Sequence, residues 1–484
     1  MSRTVEYRAP WIVAYQDGGH RLLKDGAVTV RDDRIVAVGR PGAVPADEVV
    51  DTDHVITPGL ISMHTHMHES PVDKGIAEDM DKRQFWSTNL IEILPPRSKA
   101  LGPADMRTCA RVSVAEHLRT GATTVVQMGL ESEYVAELCR RVGLRAYIAE
   151  SYRSGEWYTD NGRTVGYRWY DDGGAAAYER AADFALRNRN ADGADLVTGF
   201  LNPSQVDTCS ADLLRDSRRL ADEHGLLLQI HAAQSYPEFY EMTRRHGRTP
   251  IEWLSDLGFL GPRTVIGHGL FVTGSSWTSF RGDDVGLLAD SGTAVAYNPW
   301  VFARNGIAME TYDSYRARGV RVALGTDTAT QSMLHAARWA SVITKVLERS
   351  SDAGHARAVF DSATTVAADV LGRDDLGRVS AGAKADLCFW RADSLYMTPT
   401  RDPIRSLVYY AETEDLERTM VDGRIVMDRG AVEGLDTAAD TAELQRIAER
   451  MWTEWPRRDW AGRTMDEHVP LSYPAFDLDG DRRA

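Results

Sequence analysis

The middle of the chain alternates between short apolar runs and longer segments with helical periodicity. Glycines end several of the helical segments, as Gly121, Gly143 and Gly225 do. Eight apolar runs typical of buried strands occupy residues 59–64, 123–127, 145–149, 196–200, 227–231, 264–268, 293–297 and 321–326. Eight strands alternating with helices predict an α/β fold, a TIM-like (β/α)8 barrel. A doubly wound open sheet is the alternative, although such sheets usually have fewer strands.

Both ends of the chain show a different pattern of short alternating strands. Residues 27–31 and 34–39 alternate as a hairpin does, and residues 419–421 and 424–428 flank the tight turn Asp422-Gly423. These segments predict a small composite β-sandwich formed by both termini beside the barrel. The predicted domains are residues 1–57 (N-terminal part of the sandwich), 58–376 (barrel), 377–435 (C-terminal part of the sandwich) and 436–484 (helix and tail).

Composition narrows the choice of partners and compartment. The 484 residues carry a net charge of −15, which repels phosphate backbones, so we expect no nucleic-acid partner. No apolar signal segment opens the chain and no run of 18 apolar residues occurs, so we expect neither export by that route nor a membrane span. The four cysteines form no C-x-x-C pair, which is typical of reduced thiols in the cytoplasm. Tryptophans at 452, 455 and 460 indicate that the tail packs on the protein or on a neighbouring subunit, in a homodimer or higher homo-oligomer.

Polar groups that bind metals follow several of the apolar runs. His64 and His66 lie two residues apart at the end of the first predicted barrel strand, so both side chains point to the same side. His231, His268 and Asp327 close the fifth, sixth and eighth runs. Catalytic groups of such barrels lie at the carboxyl ends of the strands. Five groups at one end are hard to explain as caps and predict a metal site there.

The types of donor indicate which metal this is. His64, His66, His231 and Asp327 form a set of three imidazoles and one carboxylate with room for water. This set suits one divalent transition metal, zinc in preference to Fe(II), and not Ca²⁺ or Mg²⁺, which prefer oxygen ligands. Such a metal makes water nucleophilic near neutral pH. We expect Asp327 to accept the proton of that water and His268 to orient the water or ligate the metal.

These motifs carry a resemblance to a known family. PGLISMHTH (58–66), QIHAAQ (229–234), VIGHG (265–269) and ALGTD (323–327), with GAVTVRDDRIVAVG (26–39) and GRVSAGAKADLCFW (377–390), resemble the amidohydrolase superfamily. The most similar branch contains triazine hydrolase, guanine deaminase and S-adenosylhomocysteine deaminase. The resemblance covers nearly the whole chain and implies a metal barrel with a composite β-sandwich. Some members hold two metals through a carboxylated lysine on the fourth strand. No lysine lies between Lys99 and Lys345 here, which predicts a mononuclear site unless another carboxylate bridges.

Two positions depart from the deaminase pattern that the resemblance implies. Deaminases of this group carry His-x-x-Glu, whose glutamate shuttles a proton, whereas this chain has Gln234 after His231. Glutamine forms hydrogen bonds but does not titrate. Residues 296–302, AYNPWVF, also differ from the S-H-N-P-x-S-N pattern of these deaminases. These departures favour a leaving group that needs little protonation.

The predicted function is hydrolysis of a C–N bond in a small nitrogen-containing, cyclic substrate by metal-activated water. The alternatives are hydrolytic removal of halide, cleavage of a urea or amide, and, from another class, a metal-free barrel without catalysis. We expect His268, Asp327 and Gln234 to be catalytic. The residues expected to contact the substrate are Trp86, Gln127, Gln234, Asn298, Trp300 and Phe302. Trp157 and Trp169 are further aromatic candidates at the mouth.

Overall fold

Both ends of the chain join in one sheet, while the middle forms a ring of parallel strands. The computed structural model describes residues 3–79, 89–310, 312–474 and 476. The N-terminal strands are β1 (Thr4–Gln16), β2 (Gly19–Arg31), β3 (Arg34–Gly39), β4 (Glu48–Asp51) and β5 (His54–Pro58). The middle contributes β6 (Leu60–Thr65), β7 (Ala122–Gly129), β8 (Arg145–Tyr152), β9 (Gly155–Tyr158), β10 (Gly166–Trp169), β11 (Val197–Gly199), β12 (Asn202–Pro203), β13 (Leu228–Ala232), β14 (Thr264–His268), β15 (Ala294–Tyr297) and β16 (Val322–Leu324). The C-terminal part adds β17 (Leu387–Arg391), β18 (Leu416–Val421), β19 (Arg424–Asp428) and β20 (Ala431–Val432).

Helices follow most of the ring strands, and others lie in the C-terminal part of the chain. They are α1 (Leu94–Ala100), α2 (Pro103–Arg119), α3 (Ser132–Val142), α4 (Ala175–Arg187), α5 (Ala211–His224), α6 (Tyr236–His246), α7 (Pro250–Asp256), α8 (Asp284–Ser291), α9 (Pro299–Ala303), α10 (Tyr312–Ala317), α11 (Met333–Glu348), α12 (Ala356–Ser362), α13 (Thr365–Val370), α14 (Pro403–Tyr409), α15 (Thr437–Glu454) and α16 (Met465–His468). A π-helical turn, Asn89–Ile93, precedes α1. Within the described ranges, no helix combines the length and the apolar character that crossing a bilayer requires.

The ring is the predicted (β/α)8 barrel. Its strands form a five-stranded parallel sheet, β11-β8-β7-β6 with β12 beside β8, and a four-stranded sheet, β13-β14-β15-β16. Parallel bridges close the ring on both sides, Thr65 with Asp327 and Leu201 with Leu228. A strand lies at each of the eight predicted positions, and this closure excludes the open-sheet alternative. The short antiparallel hairpin of β9 and β10 was not predicted, because residues 155–169 contain little apolar alternation.

The N-terminal and C-terminal strands form a single nine-stranded sheet in the order β20-β19-β18-β17-β5-β1-β2-β3, with β4 beside β1. The N-terminal and C-terminal parts of this sheet meet where β5 pairs with β17. The two strands are antiparallel, with Leu387 opposite Pro58. Ile12, Val28, Ile35 and Phe389 form part of its buried core. This confirms the predicted composite β-unit from both termini. The four domain boundaries drawn from the sequence stay predictions.

A buried ion cluster joins the barrel to the sheet. Arg145 at the start of β8 is 1% exposed and lies 3.2 Å from Asp386 and 2.5 Å from Asp422. Lys384 Nζ lies 3.1 Å from the same Asp422 carboxylate. Asp386 also accepts a hydrogen bond from the backbone N–H of Asp422 at 2.9 Å. Because these charges are withdrawn from water, each depends on its partners for compensation.

The C-terminal tail packs on its own chain, which confirms the first of the two placements expected for it. Trp455 is fully buried with Met106, Ile447 and Met451, and its indole N–H donates to His468 Nδ1 at 3.1 Å. Trp452 packs at the edge of the same cluster. The indole N–H of Trp460 donates to Glu92 at 2.8 Å. Most of the apolar surface of the three tryptophans is therefore covered within the subunit.

The Arg145 cluster yields a stability prediction. Arg145→Ala leaves the buried Asp386 carboxylate without its main cation, so the free energy of unfolding should fall by about 3–5 kcal/mol. Arg187→Ala is the control, because Arg187 is exposed and pairs with Glu133 and Asp183 on the surface; it should leave the free energy of unfolding nearly unchanged, since exposed ion pairs contribute little to stability. Urea denaturation followed by circular dichroism measures both. Equal, small losses in the two variants would show that Arg145 does not hold the two units together.

Candidate metal centre

Five side chains from four barrel strands converge at the carboxyl ends of the strands. His64 and His66 belong to the end of β6, His231 to β13, His268 to β14, and Asp327 follows β16. Two overlapping groups, His64 with His231 and His268, and His64 with His66 and Asp327, each have donor atoms within 4.8 Å of one another. The Asp327 carboxylate lies 3.7 Å from His64 Nε2 and 3.6 Å from His66 Nε2. The structure therefore brings together all five groups that the sequence placed at this end.

Backbone pairing between β6 and the turn after β16 fixes Asp327 beside the two histidines. Its N–H donates to the carbonyl of His64, and its carbonyl accepts from the N–H of His66, both at 2.8 Å. Asp327 adopts a left-handed conformation with φ of +62°, which is uncommon for a residue other than glycine. Such outliers are maintained where the surrounding structure over-determines them. Here the paired backbone holds the residue in place.

The hydrogen bonds of His66 and His231 determine which ring nitrogen carries the proton. His66 Nδ1 lies 3.0 Å from the carbonyl of Met128, and His231 Nδ1 lies 2.5 Å from the carbonyl of Ser204. A carbonyl only accepts, so both Nδ1 atoms donate and both Nε2 atoms present lone pairs. These Nε2 atoms face each other at 3.1 Å. Two acceptors at this separation repel each other unless a cation lies between them.

Protonation does not relieve this repulsion. Burial, with the neighbouring imidazole of His231, lowers the pKa of His66 to about 3, and burial lowers the pKa of His231 to about 4. Both rings are therefore neutral near pH 7, the form that binds metals. The remaining two imidazoles also have nitrogens available to a metal. Both ring nitrogens of His64 and Nε2 of His268 are buried without a hydrogen-bond partner among the described residues. Three imidazoles and one carboxylate fit a divalent transition metal.

A cavity of about 360 Å³ opens on this cluster, within the range of small-molecule sites. Its lining includes His66, His231 and Asp327, together with Gln234 and Phe302. The edge of Phe302 packs against His268, with ring centroids 4.7 Å apart. Gln234 is buried, and its Oε1 has no hydrogen-bond partner among the described residues. The amide of Gln234 is thus free to bind a ligand, as the sequence predicts.

Three residues expected to contact the substrate do not reach the cavity. Gln127 is buried and holds backbone instead, since its Oε1 accepts from the N–H of Met67 at 2.6 Å and its Nε2 donates to the carbonyl of Met128 at 3.0 Å. Asn298 lies behind His268, with Nδ2 3.0 Å from His268 Nδ1. Trp300 packs against Trp339, with centroids 5.6 Å apart. Trp86 lies outside the described residues.

The different positions of Trp300 and Phe302 have a local cause. Both lie on the short helix α9 (Pro299–Ala303), which follows the run predicted as a strand at 293–297. On a strand, Trp300 and Phe302 would point to the same side; on a helix, residues two apart point to nearly opposite sides. Only Phe302 therefore faces the site. Trp157 lines the cavity as the sequence suggested, whereas Trp169 is exposed and stacks beside Tyr167.

One wall of the cavity is formed by charged residues that were not predicted from the sequence. Arg97 of α1 is buried and ion-pairs with Glu69, and its Nε lies 3.2 Å from Asp73. Burial opposes ionisation of Glu69, but the charge of Arg97 prevails and lowers the pKa of Glu69 to about 2. Burial raises the pKa of Asp73 to about 6 against the effect of Arg97. Arg304 of the same lining pairs with Glu78 at 2.6 Å. The pair His68-Glu69, two residues after His66, is the signal of this wall in the sequence.

Comparison with known proteins gives a consistent result. Residues 55–426 match the sequence pattern of the amidohydrolase family. A 5-methylthioadenosine/S-adenosylhomocysteine deaminase of Thermococcus kodakarensis is 32% identical over 410 residues, covering 83% of this chain and 89% of the relative. A 5'-deoxyadenosine deaminase of Methanothermobacter thermautotrophicus is 29% identical over 422 residues, covering 86% and 92%.

Two solved structures share the fold. An adenosine deaminase from Xanthomonas campestris with bound zinc superposes with a TM-score of 0.79 at 22% identity, covering 93% of this chain and 98% of the other. An atrazine chlorohydrolase from Arthrobacter aurescens complexed with zinc gives a TM-score of 0.76 at 20% identity, covering 92% and 100%. At these identities the likeness establishes the fold, which confirms the predicted barrel with its accessory sheet.

The lone-pair arrangement predicts the result of removing one histidine. His66→Ala should abolish tight metal binding, because the ring that faces His231 is lost. The barrel should remain folded, since the cluster lies at the strand ends and not in the core. Elemental analysis and circular dichroism measure the two properties. His246→Ala is the matched control, because His246 stacks on Trp253 away from the cluster; if this variant also lost the metal, the ligand assignment would fail.

Proposed function

The chain belongs to the amidohydrolase family, and we propose that it is a mononuclear zinc hydrolase that removes an amino group from a nucleoside-like substrate. The observation that carries this proposal is the pair of facing lone pairs of His66 and His231, 3.1 Å apart at the edge of a cavity. Two relatives that align over most of their length are named as deaminases of 5'-substituted adenosines. Their names support a C–N bond as the point of attack.

The proposed metal content is one zinc ion per chain. Four donors are available, His64, His66, His231 and Asp327, and they are the nitrogen and oxygen ligands typical of zinc. No lysine occurs between Lys99 and Lys345 in the sequence, so no carboxylated lysine of β11 or β12 can bridge a second ion. His268 lies close to the other donors, but its Nδ1 contacts the amide of Asn298. We assign His268 to the reacting groups.

The residues of the chain have separate roles in this proposal. When bound, the divalent metal supplies a water of lowered pKa, which is nucleophilic near neutral pH. Asp327 accepts the proton of this water and returns it to the leaving group, and His268 Nε2 hydrogen-bonds the water or the carbon substituent under attack. Gln234 binds the ring edge through its amide, and Phe302 and Trp157 offer apolar walls to a flat ring. Asn298 keeps the imidazole of His268 in orientation.

Removal of a halide remains a second candidate because of Gln234. A glutamate at this position could carry a proton to a departing amine, whereas an amide cannot. Chloride leaves as an anion and needs no proton. The resemblance in fold to an atrazine chlorohydrolase shows that this barrel accommodates such a reaction in another protein. Product analysis separates the two candidates.

Two further predictions of the sequence remain proposals. Self-association as a homodimer or larger homo-oligomer has support from α11, where Val342, Val346 and Leu347 are exposed. The tail tryptophans no longer support it, since Trp452 and Trp455 pack within the subunit, although Leu471, Tyr473 and Phe476 beyond them are exposed. A cytoplasmic location has support from the four cysteines, all of which are free and buried.

A substrate panel tests the proposed function. Zinc-loaded protein should release ammonia from 5'-methylthioadenosine, S-adenosylhomocysteine or 5'-deoxyadenosine and contain one equivalent of zinc by elemental analysis. A 2-chloro-s-triazine, assayed for chloride, represents the second candidate. Chloride release without ammonia release would replace the first proposal by the second. A protein that purifies without metal, and takes up none, would support the non-catalytic barrel.

Gln234 yields a prediction that links structure to leaving group. Gln234→Glu places a carboxylate beside the metal-binding residues and should raise the rate with amine-leaving substrates, by up to about 10²-fold if proton transfer limits the reaction. Gln234→Ala should mainly raise KM, because hydrogen bonds to the substrate are lost. Zinc content should not change in either variant. Loss of zinc from Gln234→Ala would show that Gln234 is a ligand.

A further inference from the structure

A buried carboxylate lies beneath Gln234 and bonds the backbone that carries it. Glu238 of α6 is 1% exposed. Its Oε1 accepts from the N–H of Ala233 at 2.6 Å, and its Oε2 accepts from the N–H of Gln234 at 3.1 Å. The two oxygens of one carboxylate thus bind two consecutive amides. We refer to this arrangement as the Glu238 clamp.

The clamp acts on the one unusual backbone position of this turn. Ala233 has a φ of +53°, in the left-handed region that a residue with a Cβ rarely adopts. This conformation lets the chain leave β13 after His231 and direct Gln234 into the cavity. A strained residue persists only when its surroundings hold it. The N–H of Ala233 donates to Glu238 at 2.6 Å, and its carbonyl accepts from the N–H groups of Leu270 and Phe271 at 2.8 and 2.9 Å, so Glu238 supplies the restraint on the N–H side.

The clamp differs from an ordinary helix cap. Ser235 is the N-cap of α6, and its hydroxyl accepts from the N–H of Glu238. In a capping box, the glutamate three residues after the cap returns to the N–H of the cap residue itself. Glu238 instead binds the two residues before the cap. The helix therefore has its own cap in Ser235, and the Glu238 carboxylate serves the turn.

The surroundings of Glu238 do not stabilise its charge by themselves. Burial and the nearby carboxylate of Asp207 raise the pKa of Glu238 well above its usual value. Asp207 accepts from the indole N–H of Trp157 and the hydroxyl of Tyr167, both at 2.8 Å. Among the described residues, the recorded hydrogen bonds to the Glu238 carboxylate come from the two clamped amides. Burying a carboxylate costs free energy, and its two bonds to the turn offset part of that cost.

We propose that Glu238 is a positioning residue for substrate binding, which acts by fixing the Ala233–Gln234 turn so that the amide of Gln234 points into the cavity. The inference rests on the proposed function, because it assigns Gln234 to the substrate ring. Glu238 does not line the cavity itself and reaches it through its bond to the backbone N–H of Gln234, which does.

Glu238→Gln tests the proposal with little change in volume. The substitution replaces one of the two carboxylate oxygens by an NH2 group. This group cannot accept from a backbone N–H, so one clamp bond is lost. KM for 5'-methylthioadenosine should rise about tenfold, from the loss of one hydrogen bond that orders Gln234, with zinc content unchanged. In a Gln234→Ala background, the same substitution should change KM less than about twofold, because the group it positions is absent. An additive effect in the double variant would overturn the proposal.

Ser235→Ala is the matched control for a purely structural role. It removes the cap of the same helix, lowers the stability of that helix and leaves both clamp bonds intact. Amide hydrogen exchange separates the variants without turnover: Glu238→Gln should speed exchange at Ala233 and Gln234, whereas Ser235→Ala should speed it in the first turn of α6. If both variants affect only the helix, the clamp does not exist as proposed. If exchange behaves as expected but no nucleoside is hydrolysed, the proposed substrate is wrong and the clamp stands.

Discussion

Two neutral imidazoles whose lone pairs face each other at 3.1 Å set the main constraint on this molecule. Their orientation is not a property of the two histidines alone. The carbonyl that turns His66 belongs to Met128 of β7, and the carbonyl that turns His231 belongs to Ser204, just after β12. Each ring is therefore aimed by a neighbouring strand. The donor geometry depends on the pairing of strands around the barrel, so the centre exists only in the closed fold.

The closure of the barrel between β6 and β16 is a second place where strand pairing positions a metal-binding residue. Thr65 pairs with Asp327 in the bridge that completes the ring. Behind this bridge, the buried amide of Gln331 accepts from the hydroxyls of Thr65 at 2.8 Å and Thr326 at 2.6 Å and donates to Ser70 at 2.8 Å. Buried polar groups that are satisfied in this way rigidify their surroundings. This network braces Thr65 and Thr326 beside the bridge, and Asp327 itself is held by its backbone bonds to His64 and His66.

The sequence predicted the barrel and the metal-binding groups because both depend on local signals. The run 264–268 ends in His268, and the run 321–326 is followed directly by Asp327. Such a run locates a strand and its reactive end together. Residues in the connections were harder to place. Arg97 reaches the cavity through α1, whose position depends on packing that no periodicity expresses. Trp157, which the sequence did suggest, reaches it through the β9–β10 hairpin, which the sequence did not predict. Trp300 packs against Trp339 from the short helix α9, and Gln127 bonds the backbone of Met67 and Met128; neither contact has a signal in the local sequence.

The charges around the cavity restrict where a proton for the leaving group comes from. Glu69 is held ionised by Arg97, with a pKa of about 2, so it has no proton to give near pH 7. Asp73 is in contact with the same guanidinium. Gln234 does not titrate. Burial raises the pKa of Asp327 to about 7 in the chain without a cation, and a bound dication would lower it again. In the proposed reaction, Asp327 is therefore the group that takes a proton from water and returns it. A single carboxylate can do this within one turnover, because the proton that the nucleophile loses is the proton that the departing group requires.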